Sequence, residues 1–108
     1  MTYDNAFAAL ADPSRRRIFE RLRGGPLPVA RIAAGMPISR PAVSQHLQVL
    51  KAAGLVSDEA VGTRRLYSID QRGLDTLRAW LDQFWADALQ AFKTEVERPS
   101  RTRKGKRT

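Results

Sequence analysis

The chain has no cysteine and a single histidine, His46. Without thiols it can form neither a disulfide nor a thiolate metal site. One imidazole cannot close a zinc site, which takes four ligands. No metal site and no cofactor is therefore expected. An enzyme is not expected either, because no nucleophile–base pair or set of metal ligands is spaced along the chain. No apolar run approaches the roughly 18 residues of a membrane span. The opening MTYDNAFAAL lacks the basic stretch and apolar core of a secretion signal. These absences together read as a soluble cytoplasmic protein with no membrane partner. The end of the chain, RPSRTRKGKRT (98–108), lacks acidic residues and any sizeable apolar side chain. It is predicted to be a disordered basic tail beside one domain covering residues 1–97.

The charge is uneven. The net charge is +8. Residues 1–65 carry ten Lys/Arg against five Asp/Glu, residues 66–97 carry three against six, and residues 98–108 carry six against none. Basic segments flanking an acidic one point to a polyanionic partner, nucleic acid ahead of an anionic membrane. The tail lacks the apolar side that an amphipathic membrane anchor requires.

The punctuation is mostly helical. NAFAAL reads as a short helix. In ADPSRRRIFERLRGG, Asp12 is placed to cap a helix, Pro13 suits its first position, and Gly24-Gly25 stops it. Ile18 and Leu22, four apart, face a core. PVARIAAG (28–35) reads as a second short helix ending at Gly35. Ser39 then opens a third, with Pro41 tolerated in its first turn. Val43, Leu47 and Leu50 form its buried stripe, and Gly54 ends it. LVSDEAVGTRRLYSID has strand character on either side of Gly62 and reads as a hairpin with a basic tip. The last helix is expected from about Asp70 to Glu97, a rod of roughly 40 Å at 1.5 Å per residue. Leu77, Trp80, Leu81, Phe84, Trp85, Leu89 and Phe92 crowd one arc of it, with Leu74, Ala88 and Val96. That arc is wider than the ~100° stripe a surface helix needs. A second copy of the chain is the simplest cover.

A short helix, a turn, a second helix and a basic hairpin make a mainly α fold with a small β-hairpin (α+β), a winged helix-turn-helix. The parts suit DNA. A major groove about 12 Å wide admits one helix, and polar side chains near its N-terminus read base edges. Opposite the Val43/Leu47/Leu50 stripe lie Pro41, Gln45 and Gln48, with Ser44 on a flank. Gln45 has the geometry to pair bidentately with adenine, and Arg40 to reach guanine or phosphate. Ser39 and Ser44 are short enough for phosphates or base edges. Arg64 and Arg65, at the hairpin tip, suit backbone or minor-groove contact. Arg15, Arg16 and Arg17 read as a solvated face.

ALADPSRRRIFERL, SRPAVSQHLQVLKAAGLV and GTRRLYSI together resemble the ArsR-type winged-helix repressors. The resemblance spans about residues 4–97. It implies a homodimer bound to double-stranded DNA at palindromic operators, with contacts from SRPAVSQH and the wing arginines. It also implies that the first helix, with Phe7, and the last helix form the dimer interface. The chain departs from the family's metal sensors. Those carry a cysteine pair near the first helix of the helix-turn-helix, or aspartates and histidines on the last helix. LPVARIAAG has no cysteine, and the last helix has acids but no histidine. The likeness is to the metal-independent, autorepressor-like branch. The residues specify no inducer, whether small molecule or protein.

His46 lies on the flank of the buried stripe. A lone histidine is more often a packing residue than a ligand, and the DNA-facing set includes it as a phosphate contact. Two other readings stand beside repression: a non-specific, chromatin-type DNA coater, and a regulator acting through a different protein docked on the long helix.

Overall fold

Asp12 makes the first corner. In the computed structural model, which describes residues 3–97, its carboxylate accepts the Ser14 and Arg15 backbone N–H groups at 2.8 and 3.1 Å. This satisfies two orphan donors of helix α2 (Pro13–Arg21) and separates it from α1 (Tyr3–Ala11). The expected roles of Asp12 and Pro13 are met. The helix then tightens into a single 3₁₀ turn, Leu22–Gly24, and ends at the paired glycines, as expected.

Two short segments follow. β1 (Leu27–Pro28) precedes α3 (Val29–Ala33). The sequence reading put residues 28–35 wholly in a helix and missed this strand, because two residues with a proline show no alternation. Ser39 accepts the Ala42 N–H on its hydroxyl at 3.2 Å and caps α4 (Arg40–Ala52). The chain reverses at Gly54, whose φ of 80° is the left-handed region that glycine enters without a steric cost.

β2 (Val56–Val61) and β3 (Arg64–Ile69) pair antiparallel from Val56↔Ile69 to Val61↔Arg64. Leu27 and Pro28 pair with Tyr67 and Leu66, so the expected hairpin is two strands of a three-stranded sheet ordered β1-β3-β2. The core joins Ile18 and Leu22 of α2, Ile32 of α3, Val43, Leu47 and Leu50 of α4, and Leu55, Val56 and Tyr67 of the wing. Each fully buried Leu, Ile or Val contributes about 1.5–3 kcal/mol relative to exposure.

α5 (Gln71–Glu97) begins at Asp70, whose carboxylate accepts the Arg72 backbone N–H at 3.0 Å. The described chain divides into two compact units between Arg78 and Ala79. In the first, Gly73 is buried and Leu77 packs partly against the core. In the second, residues 79–97 are exposed throughout. The predicted basic tail, 98–108, lies outside the described residues. No helix among these is long and apolar enough to cross a membrane.

Candidate nucleic-acid interface

The candidate reading helix is anchored from one side only. Val43, Leu47 and Leu50 are fully buried, which fixes the rotation of α4. The opposite side then shows Pro41, Gln45 and Gln48, all exposed. Ser39 and Arg40 are exposed at its N-terminal end, and Ser44 is half-buried on the flank. Ser39 is therefore a cap as well as a surface residue.

His46 is half-buried and faces the other flank. It lies close enough to Asp12 for its charge to bear on that carboxylate. The Asp12 carboxyl is held below its ordinary value chiefly by the Arg15 backbone N–H, against a desolvation cost. Ser14, the Arg15 charge and the His46 charge add to the lowering.

The basic residues sort into two groups. Arg15 donates through Nε to the Ala9 carbonyl at 2.8 Å, and Arg16 donates through Nη1 to the Leu10 and Ala11 carbonyls at 2.8 and 3.3 Å. Arg21 donates to the Ile32 and Ala34 carbonyls at the end of α3. These guanidiniums satisfy helix C-terminal carbonyls, where positive charge is favoured. Arg16 and Arg17 are exposed, whereas Arg15 is half-buried, so the expected solvated face is corrected for Arg15. The side chains of Arg40 and Arg64 make no hydrogen bond or ion pair with another described residue, so both guanidiniums are available to a ligand.

Strand alternation separates the two wing arginines. Successive strand residues point to opposite faces. Arg65 shares a face with Asp58, Ala60 and Tyr67, whereas Arg64 shares the other with Glu59, Val61 and Leu66. Arg65 donates through Nη1 to Asp58 Oδ2 at 2.9 Å. The other Asp58 oxygen takes Lys51 Nζ, from the last turn of α4, at 2.8 Å. Of the wing pair, only Arg64 is uncommitted. Sequence reasoning missed Asp58, although a two-residue turn at Gly62-Thr63 would pair it with Tyr67 and set it on the face of Arg65, which was a usable signal.

The expected dimer residues also separate. Leu81, Phe84, Trp85, Leu89, Phe92 and Val96 each expose more than half of their surface, from 51% at Leu89 to 67% at Phe92. Trp80 stacks on Phe84 with ring centroids 5.4 Å apart. Phe7 is exposed on α1, edge-to-face with Tyr3. Leu77 differs, being half-buried on the core of its own unit. Among the described residues no group of three or more His, Cys, Asp and Glu is arranged to hold a metal ion.

A short helix, a turn, a polar-faced second helix and a projecting antiparallel wing define a winged helix-turn-helix. Comparison with known proteins bears this out. Residues 10–59 match a helix-turn-helix domain family. The chain is 56% identical to the HTH-type transcriptional regulator Rv2034 of Mycobacterium tuberculosis over 87% of its own length and 88% of that protein's. It is 37% identical to the transcriptional repressor SdpR of Bacillus subtilis, covering 75% of this chain and 90% of that one. The solution structure of the homodimeric winged helix-turn-helix DNA-binding domain Mb0332 of Mycobacterium bovis, a possible ArsR-family regulator, superposes with a TM-score of 0.62. It is 35% identical, over 78% of this chain and 77% of that one. The chain belongs to the ArsR-type winged helix-turn-helix transcriptional regulators.

Proposed function

We propose that the protein is a sequence-specific transcriptional repressor that binds an inverted-repeat DNA operator as a homodimer and senses no metal. The observation that carries this reading is the two-sided α4. Three fully buried aliphatics lock one side, and Pro41, Gln45 and Gln48 are presented on the other. A helix held this way reads base edges with Gln45, whose amide matches adenine N6 and N7. Ser39, Arg40, Ser44, His46 and Gln48 form its surroundings. Arg40 and Arg64 supply phosphate or groove contact. The protein acts on DNA in the cytoplasm and performs no catalysis.

The homodimer rests on the last helix. Six large apolar side chains more than half exposed along one helix make a patch that a soluble monomer seldom leaves uncovered. The occupant proposed is a second copy, because the Mb0332 domain is described as homodimeric. Phe7 adds to the apolar surface available for that contact. Two-fold symmetry sets two α4 helices roughly 34 Å apart, one turn of DNA. The absence of cysteine and the single histidine, on α4 and not α5, support metal independence.

Selection of bound fragments from genomic DNA tests the reading. The expected result is enrichment of an inverted repeat with half-sites about one turn apart, unchanged by a zinc chelator. Enrichment that tracks base composition alone would instead favour the non-specific coater.

A further inference from the structure

One carboxylate joins the two parts of the DNA-reading surface. Asp58 lies on the α4-facing side of the wing, its side chain only 6% exposed. Its oxygens are divided: Oδ1 takes Lys51 from the end of α4 at 2.8 Å, and Oδ2 takes Arg65 from β3 at 2.9 Å. Lys51 and Arg65 are about half exposed, at 46% and 53%. An isolated exposed pair contributes little to stability. A nearly buried anion shared by two cations is a geometric device, because it sets the separation of the elements that carry them.

We infer that Asp58 is a specificity-determining positioning residue, which ties the wing to the C-terminal turn of α4 and withholds Lys51 and Arg65 from sequence-independent phosphate contact. The inference rests on the DNA-reading function proposed above. Two consequences follow from the geometry. With the tie in place, Arg64 on the opposite face of β3 is held in register with Arg40 and Gln45 on α4. Without it, the wing shifts relative to α4, and two freed cations become available to any phosphate.

The test uses the full chain with Asp58→Asn and Asp58→Glu. The probes are the duplex most enriched by the wild-type protein and a scrambled duplex of the same composition. Binding is measured across a salt series. For Asp58→Asn the preference for the enriched duplex falls about five-fold, within the range of couplings carried by residues that touch neither site. Affinity for the scrambled duplex rises, and its salt slope steepens by about 0.9 for each added phosphate contact. Asp58→Glu, which keeps the charge, restores part of the preference. A purely stabilising role would lower both affinities together and leave the slope unchanged, which would overturn the inference. So would an unchanged preference in Asp58→Asn. If Asp58→Asn fails to fold, Lys51→Met releases the same tie from the α4 side and must still reduce the preference. A wild-type protein that prefers no duplex would overturn the function reading itself, and that outcome is separate from a wild type that discriminates and an Asp58→Asn that discriminates equally.

Discussion

Gln45 and Gly73 show how much one side chain decides. Gln45 is exposed on a helix whose rotation is fixed from the other side. On the proposed reading, replacing it with alanine would remove the bidentate contact to a base and leave the buried side of α4 intact. Gln45→Ala is expected to lose about 1–3 kcal/mol of discrimination at one base pair. Competition binding with single-base operator variants measures it. Gly73 acts through closeness. A Cβ there would sit 2.0 Å from the Gly54 carbonyl oxygen and 2.8 Å from its carbon. The obstacle is backbone, so the first turn of α5 would have to move. Gly73→Ala is expected to cost about 1–3 kcal/mol, the usual penalty of overpacking. For a domain of this size that is a fall of at least about 4 °C in Tm. Thermal unfolding followed by circular dichroism would show it. Gly73 was not legible in the sequence. Its role depends on the α4–β2 corner approaching α5, and no local pattern records a long-range approach.

Among the elements, the helices were the most legible. Asp12, Ser39 and the Val43/Leu47/Leu50 stripe carry local signals, and they ended as two caps and a buried face. The reading weakened where side chains work across elements. Arg15, Arg16 and Arg21 end on helix carbonyls 5 to 13 residues away along the chain. Arg65 is held by an acid seven residues away across the hairpin. Charge alone reads Arg15 and Arg16 as solvated and Arg65 as a DNA contact, and does not record the partners the fold gives them. The junctions also carry the pH dependence. The carboxyls of Asp12, Asp58 and Asp70 lie below their ordinary value of 3.8, held there first by the Arg15 backbone N–H, by Lys51 and by Arg72 respectively. A carboxyl depressed in the folded state adds stability that is present above 3.8 and is lost as pH falls through the depressed values. Tm is expected to be insensitive to these groups near neutrality and to drop in acid below about pH 4. Asp12→Asn keeps the cap, since asparagine caps as well as aspartate. It is expected to lower Tm slightly near neutrality, where the charge contribution is lost, and to make the acid decline shallower.

For the whole molecule, composition and charge carried the class of partner, and the structure contributes how the basic residues are deployed. Among the described residues, the side chains of Arg40 and Arg64, on the surface proposed to read DNA, have no hydrogen-bond or ion-pair partner. On the proposed reading a second copy covers the apolar face of residues 79–97. Introducing charge into it, as Trp85→Glu with Phe92→Glu, is expected to give a monomer by sedimentation equilibrium. That monomer should keep its helical content and lose affinity for a two-half-site duplex far more than for a single half-site. The central claim is that this chain reads DNA sequence. The most direct measurement is the ratio of affinities for the enriched duplex and a scrambled duplex at one fixed, near-physiological salt concentration. The account predicts a preference of about 10³-fold or more, as specific DNA-binding proteins show over non-specific sites. Equal affinity for the two duplexes would contradict it.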